Sequence, residues 1–187
     1  RWLSDWSSDV CSSDLDAVAV RAANEAVSSY QRQFPVIAAW GDGSLASSDM
    51  MSLDVSRKIW QARLDPKRRI ASIGTYTHVS DFWSVIYDQP IMLNERQAGA
   101  ALEGVIRQRE INIDRLAVDT HGYTDFAMGQ AKFQGIDLCP RLKSMRDRKL
   151  HVPSGIRLPP ALTSISTGAV HLNVVRKYWD ELVRIAA

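Results

Sequence analysis

Cysteine is scarce in this chain, which contains 2 cysteines among its 187 residues. Cys11 and Cys139 lie far apart, and their spacing matches neither a zinc-ligand motif nor the dense cysteine pattern of a small disulfide-stabilised protein. A disulfide framework and a structural zinc site are therefore excluded as the basis of the fold. Because this cysteine usage fits a reducing compartment, we expect a cytoplasmic protein.

Long apolar runs and a large excess of one charge are also missing. No apolar run approaches the roughly 20 residues that cross a bilayer, so we expect no membrane association. The formal net charge is only +2, so any affinity for nucleic acid must come from local basic clusters. Hydrophobic residues make up 45% and charged residues 24%, which is the balance of a globular protein with one buried core.

The first fifteen residues differ from the rest because they show neither helical nor strand periodicity. This Ser- and Asp-rich string resembles the conceptual translation of a sequencing adapter. We therefore predict that residues 1–15 are disordered and carry no chemistry. The alternative is a native disordered leader, which has the same kind of composition.

From residue 16 onward the sequence alternates between helical and strand patterns. Three consecutive strands, followed by alternating helices and strands, predict an α/β fold with a mixed sheet, antiparallel at first and parallel later, and helices on both faces. The predicted core covers residues 34–150, and residues 151–187 form a linker and the start of a further helix. The predicted helices are 16–33, 94–109 and 124–133, and the predicted strands are 36–40, 70–79, 82–87, 113–118 and 136–139.

Two aspartates follow predicted strands directly. Asp42 comes after strand 36–40, between two glycines, and Asp119 comes after strand 113–118. If these strands are neighbours, the two carboxylates converge at one edge of the sheet. Like charges held together repel unless a cation lies between them, so the pair predicts Mg²⁺ or Mn²⁺ bound through oxygen. The alternative is that each aspartate caps a turn or a helix.

Basic residues form two clusters that are candidates for binding DNA phosphates, and a tryptophan within the first could stack on a base. The alternative is that both clusters are solvated surface loops. The first cluster consists of Arg57, Lys58, Arg63, Lys67, Arg68 and Arg69 around Trp60, and the second of Arg141, Lys143, Arg146, Arg148 and Lys149.

Four sequence blocks carry a resemblance to a known family. They are Trp-Gly-Asp-Gly at 40–43 with Ser-Ser-Asp at 47–49, Tyr-Thr-His-Val-Ser-Asp at 76–81, Val-Asp-Thr-His-Gly-Tyr-Thr-Asp at 118–125, and Leu-Cys-Pro-Arg-Leu at 138–142. In this order, the chain from 34 to 187 resembles the catalytic region of the large replicative transposases of the Tn-three family. Four blocks in sequence are far more specific than any one of them alone.

The resemblance implies a ribonuclease-H-like fold with an Asp, Asp, Glu triad that binds two Mg²⁺ ions. Asp119 matches the second acid of that triad, and either Asp42 or Asp49 matches the first. We prefer Asp42 because it directly ends a predicted strand, whereas Asp49 follows a Ser-rich turn. The Glu belongs to a block after a helical insertion, and we expect this chain to end within that insertion. The fragment alone is therefore expected to be inactive.

The same resemblance implies that the intact protein cuts DNA at the ends of its own element and joins the exposed 3′ hydroxyl to target DNA. Both steps are phosphoryl transfers that a two-metal site can serve. The implied partners are the terminal inverted repeats, the target DNA and further copies of the protein, and the implied location is the bacterial nucleoid. The alternatives are a catalytically dead DNA-binding remnant, or a metal-dependent nuclease or phosphatase with Asp42 as nucleophile.

Overall fold

A computed structural model describes residues 17–109 and 111–187. The prediction for residues 1–15 therefore lies outside the described residues. The chain divides into two compact units, a first unit that ends at Arg141 and a second unit, Leu142–Ala187, and each is described by itself. Within the described residues, no helix combines the length and apolar character needed to cross a bilayer.

The first unit is built on a mixed six-stranded sheet. Its strands are β1 (Leu45–Asp54), β2 (Arg63–Leu64), β3 (Ala71–Ser80), β4 (Val85–Ile91), β5 (Arg115–Val118) and β6 (Asp137–Pro140). Strand β1 lies in the middle, antiparallel to β3 and parallel to β5. Strands β2 and β4 pair antiparallel with the outer side of β3, and β6 pairs parallel with β5. Three long antiparallel strands followed by two parallel strands confirm the predicted fold class, a mixed sheet of the ribonuclease-H-like type.

Three helices pack on this sheet. Two of them directly precede β5 and β6. The helix between β5 and β6 is the crossover that a parallel strand pair requires. The helix between β5 and β6 is capped at its start by Thr124, whose hydroxyl accepts the Ala127 N–H at 3.0 Å. After this helix, Gly135 adopts a left-handed φ of +77°. The helices are α1 (Ala17–Gln31), α2 (Ala98–Arg107) between β4 and β5, and α3 (Asp125–Phe133) between β5 and β6.

One face of the sheet, which we call the covered face, carries the buried side chains. Alternate residues of β1 and β3 are buried there, among them Ser48, Tyr76 and His78. The ring of His78 donates from Nε2 to the Ala101 carbonyl of α2 at 2.8 Å. A Cβ at Gly104 would overlap the His78 ring, so this glycine lets α2 approach the sheet closely.

The opposite face of β1 and β3, which we call the open face, carries exposed and half-buried side chains. On β1 these are Ser47, Asp49 and Met51, and Met51 is 59% exposed. Helix α1 does not cover this face, because its Arg21 guanidinium lies 4.4 Å from the centre of the Tyr87 ring, which contacts His78 on the covered face. In the described part of the first unit the helices lie on one face, which corrects the predicted arrangement with helices on both.

Two other predictions are wrong at the start of the core. Residues 36–40 do not form a strand, because Pro35–Ala39 is a 3₁₀-helix with proline in its first turn, and Val36 and Trp40 are exposed. The Ser-rich stretch around Asp49, predicted as a turn, lies in the central strand β1. A five-residue apolar run does not distinguish a strand from a helical turn, and serines are buried in a strand when a partner satisfies their hydroxyl groups.

The second unit contains a parallel strand pair and three short helices. Strand β7 (Leu150–Pro153) pairs with β8 (Ser166–Val170), and the helices are α4 (Pro160–Thr163), α5 (Leu172–Lys177) and α6 (Trp179–Ala186). The segment 151–187, predicted as a linker and the start of a further helix, thus contains a strand pair before its last helices. The predicted helix is present, but it is divided into two at Tyr178.

Candidate active site

Asp49 and Asp119 lie side by side on neighbouring parallel strands. The ladder between β1 and β5 pairs Ser48 with Val118, so the next residue along each strand is one of the two aspartates. Ser48 and Val118 are both buried on the covered face, and successive side chains of a strand alternate between faces. Both carboxylates therefore belong to the open face, on strands about 4.8 Å apart.

Local hydrogen bonds hold one oxygen of each carboxylate. Oδ1 of Asp119 accepts the N–H groups of His121 at 2.8 Å and Gly122 at 2.9 Å. Oδ1 of Asp49 accepts the N–H of Met50 at 2.7 Å. Among the described residues the Oδ2 atoms of both aspartates have no protein donor. The pair therefore offers free carboxylate oxygens, which are the ligands that Mg²⁺ and Mn²⁺ prefer.

Tyr76 lies beneath the two aspartates on the covered face. It is fully buried, and its hydroxyl group shares a hydrogen bond of 3.1 Å with Ser48 Oγ. Burial raises the pKa of Tyr76 to about 12, the Ser48 bond opposes this shift, and the negative charges of Asp119 and Asp49 add to it. Both charges act on the same hydroxyl, which is further evidence that the two carboxylates are close together. The periodicity of the sequence gave no reason to single out Tyr76 or Ser48.

The loop after Asp119 closes over this tyrosine because of a glycine. A Cβ at Gly122 would lie 2.7 Å from Val118 Cβ and 3.0 Å from the Tyr76 hydroxyl, so a larger residue would push the loop away. Since the same loop supplies the N–H groups that bind Asp119 Oδ1, Gly122 contributes to the position of that carboxylate.

Asp42 lies at the other end of β1. It precedes the strand, and its Oδ1 accepts the Ser44 N–H at 2.9 Å; hydrogen bonds from the Ser44 side chain and then from its N–H lower the pKa of Asp42. Leu45 pairs with Arg115 at the start of β5, and the strand from Leu45 to Asp49 spans about 13 Å. Asp42 is therefore remote from Asp119. The preference for Asp42 relied on a strand over 36–40, whereas the structure has a 3₁₀-helix at Pro35–Ala39 and places Asp42 in a turn where it binds the Ser44 N–H.

The acidic pair supplies two carboxylates. Among residues 17–109 and 111–187, no three His, Cys, Asp or Glu side chains are grouped so that they could hold a metal ion. Asp49 and Asp119 thus fit a divalent cation by the type and freedom of their oxygens.

Arg141 extends the row of the two aspartates onto a third strand. Pro140 pairs with Val118, and the Arg141 N–H donates to the Val118 carbonyl at 2.8 Å, so Arg141 follows at the level of Asp119. Leu138 is buried on the covered face, and alternation assigns the exposed Arg141 to the open face. Asp49, Asp119 and Arg141 therefore lie in one row across β1, β5 and the end of β6.

The Arg68 side chain forms ion pairs and hydrogen bonds within the first unit. Its guanidinium contacts Asp54 at 2.5 Å and Asp65 at 3.0 Å, and it donates to the Ser52 carbonyl at 3.0 Å. Hydrogen bonds from the Ser52 hydroxyl and from the Arg68 N–H hold the pKa of Asp65 well below its usual range. The structure thus assigns Arg68 a role in joining β1 to the turn before β3. The other predicted DNA contacts are exposed, namely Arg57, Lys58, Lys67, Arg69, Arg141 and Lys143.

Comparison with known proteins agrees with this architecture. The Tn3 transposase DDE domain family matches residues 8–187. The transposase for insertion sequence element IS1071 in transposon Tn5271 of Comamonas testosteroni is 50% identical over 163 residues, which are 87% of this chain and 17% of that protein. The transposase for transposon Tn21 of Escherichia coli is 28% identical over 159 residues, 83% of this chain and 16% of that protein.

The chain belongs to the Tn3 transposase DDE domain family, which confirms the resemblance seen in the four sequence blocks. It spans about a sixth of the length of these curated relatives. Among solved structures, the crystal structure of the Mos1 strand transfer complex overlaps 88% of this chain and 52% of that chain, at 12% identity and a TM-score of 0.36. The strand order, and not this weak overlap, defines the fold.

Proposed function

We propose that this chain is the catalytic segment of a DNA transposase, in which Asp49 and Asp119 bind the metal ions that serve strand cleavage and strand transfer at transposon ends. Family membership supports the reaction class. The observation that carries the site assignment is the register that pairs Ser48 with Val118 and so aligns the two following aspartates on the open face. The first acid of the triad is thus Asp49 and not Asp42.

The residues of this chain divide the work as follows. Asp49 and Asp119 would hold Mg²⁺ or Mn²⁺, which when bound activates a water or a 3′ hydroxyl and stabilises the leaving oxygen. The hydrogen bonds from the loop after β5 keep the Asp119 carboxylate in place. Tyr76 is protonated at neutral pH and its raised pKa keeps it neutral in base, so it binds Ser48, next to Asp49, without adding a third negative charge. Arg141 would contact the phosphate beside the acidic pair.

The proposed partner is DNA, first the terminal inverted repeats of the element and then the target. Exposed basic residues at two places would contact its phosphates: Arg57, Lys58, Lys67 and Arg69 toward the Asp54 end of β1, and Arg141 and Lys143 after β6. The intact transposase would act as an oligomer, at the bacterial nucleoid, in replicative transposition. We omit Arg68 from the proposed contacts because its guanidinium is bound within the fold.

A catalytically dead DNA-binding protein is the second candidate. The observation that favours it is that the described residues group only two acidic ligands, whereas the family triad has three. The phosphatase alternative has lost its basis, because Asp42 caps a turn and lies about 13 Å or more from Asp119 along the strand direction.

The test compares the 187-residue chain with a Tn3-family transposase that carries this chain as its catalytic segment. On DNA bearing matched inverted repeats, the transposase should cleave in Mg²⁺ and lose cleavage on Asp119→Ala, whereas the chain alone should bind DNA and leave it intact. Unchanged cleavage by the Asp119→Ala transposase would refute the site assignment. Robust Mg²⁺-dependent nicking by the chain alone would instead indicate a self-contained nuclease.

A further inference from the structure

A cleft opens on the first unit between the segment before β1 and the turn after β3. Its volume is about 380 Å³. Ser47 and Val79, which are cross-strand partners on the open face of β1 and β3, form its floor. The remaining lining residues are Trp40, Ser80, Asp81 and Trp83. The cleft therefore combines two tryptophans and one carboxylate, and none of these six residues is basic.

The two tryptophans expose much of their surface. Trp40 is 53% exposed and Trp83 is 74% exposed. Trp83 also adopts a left-handed φ of +65° in the turn between β3 and β4, a conformation that bulky side chains rarely adopt. Strained backbone that presents a large aromatic ring to solvent is typical of a binding site and unfavourable for stability alone.

The walls of the cleft are held in position before any ligand binds. Both carboxylate oxygens of Asp81 accept the Gly43 N–H, at 3.1 and 3.3 Å. A Cβ at Gly41 would overlap the Asp81 carboxyl group, so the segment after Trp40 packs directly on Asp81. The Trp40 segment is thereby attached to the turn that carries Trp83.

The chemistry of the lining selects a flat, uncharged ligand. Exposed indole rings stack on the faces of nucleobases, whatever their sequence. The Asp81 carboxylate would repel a phosphate, but it can accept a hydrogen bond from the exocyclic amino group of a base. A base inside a duplex is stacked on both sides and cannot present its face to an indole. The lining therefore fits an unpaired base.

The location connects the cleft with the proposed reaction. Ser47 of the floor precedes Asp49 by two residues on the same face of β1, a separation of about 7 Å. We propose that the cleft between Trp40 and Trp83 holds one unpaired DNA base beside the phosphate that is cut or joined at Asp49 and Asp119. This inference rests on the proposed function and specifies the form of its DNA substrate.

The test measures binding of the 187-residue chain to three DNA duplexes by fluorescence anisotropy at one low salt concentration. One duplex is blunt, one has a short single-stranded overhang, and one has the same overhang without bases. We expect the wild type to prefer the overhang with bases by about tenfold over the abasic one. The double variant Trp40→Ala, Trp83→Gly should lose this preference and bind the blunt duplex as the wild type does.

The single variants distinguish the effect of losing the aromatic ring from the effect of losing the folded structure. Glycine at position 83 accepts the left-handed φ, so Trp83→Gly alone should fold and should lose most of the preference. Trp83→Phe keeps an aromatic ring and should retain it. Phe126, which is 64% exposed on α3 and outside the cleft, gives the matched control Phe126→Ala, which should behave as the wild type.

The following outcomes would contradict the proposed base-binding cleft. A preference for bases that survives in Trp83→Gly and in the double variant overturns the inference, and so does an equal loss in Phe126→Ala. A wild type that binds all three duplexes equally also overturns it, while leaving the proposed function in place. A wild type that binds no DNA refutes both. If the variants change only the oligomeric state, the tryptophans form a protein interface and the inference is wrong.

Discussion

The two faces of the central strands use alternate residues of the same sequence for different purposes. On the covered face, Ser48 and Tyr76 are buried and bonded to each other beneath the helices. On the open face, Asp49 is exposed and has a free carboxylate oxygen. Along β1, exposure separates the residues that stabilise the fold from the aspartate that we propose binds metal ions. Substitutions on the covered face should therefore affect folding, and those on the open face should affect chemistry.

The largest expected effect concerns Asp49. In a transposase that carries this chain, Asp49→Asn should lower the rate of Mg²⁺-dependent strand cleavage by roughly a thousandfold or more, about 4 kcal/mol of transition-state stabilisation. The reason is that an amide neutralises one of two carboxylates that would hold the metal ions. The melting temperature should stay the same or rise, because the variant removes repulsion between adjacent negative charges.

The matched control for Asp49→Asn is Asp42→Asn, which changes an aspartate of the same sequence block at the other end of β1. Its cleavage rate should remain within a few-fold of the wild type. If Asp42→Asn abolished cleavage and Asp49→Asn did not, the assignment of the first acid would have to be reversed.

The next largest effect is on stability and belongs to the covered face. Tyr76→Ala should lower the free energy of unfolding by about 3 to 5 kcal/mol, because it leaves a cavity under β1 and removes the partner of Ser48. Tyr76→Phe keeps the ring and should cost only about 1 kcal/mol. Urea denaturation of the chain measures both. Equal losses for the two variants would show that the hydroxyl, and not the ring, dominates.

A smaller effect is expected where Arg68 and Asp65 join β1 to the turn before β3. The pKa of Asp65 is lowered in the folded chain, so its charge stabilises the fold at pH values above the pKa of the unfolded chain, about 4. This contribution is lost as pH falls toward the lowered folded pKa. Asp65→Asn should thus be less stable than the wild type near pH 7, and the difference should shrink below about pH 4.

The role of Arg68 is tested by comparing it with its neighbour Arg69, which serves as the control. Arg68→Ala should lower the free energy of unfolding, because it leaves the Asp65 carboxylate with fewer donors. Arg69→Ala changes an exposed side chain and should have little effect on unfolding. Similar losses for the two variants, measured by urea denaturation, would contradict a specific role for Arg68.

The smallest effect is on DNA affinity at the open face. Arg141→Ala should weaken DNA binding modestly and reduce the slope of log Kd against log salt concentration by about 1, the amount expected for one lost phosphate contact. Arg68→Ala should leave this slope unchanged. A salt titration of both variants decides whether the row of Asp49, Asp119 and Arg141 faces the DNA backbone.

Much of the fold and part of the candidate site could be predicted from the sequence. The spacing of apolar residues predicted α2 and α3, and the β-branched runs predicted β3 to β6, because these patterns depend on neighbours within a few positions. The four sequence blocks indicated the family, and Asp119 was identified at the end of its strand. The periodicity did not identify β1, since its serines and aspartates are typical of a turn.

The proposed choice of Asp49 over Asp42 rests on the tertiary structure alone. Both aspartates belong to one block, and their local sequences do not reveal which of them lies beside Asp119. The parallel ladder from Leu45 to Ser48 against β5 makes that choice, and it joins strands that are about 70 residues apart in the chain. Composition and motifs thus determined the kind of residues available, whereas long-range register decided which residues lie on neighbouring strands, because pairing depends on the burial of a whole strand face and not on any single residue.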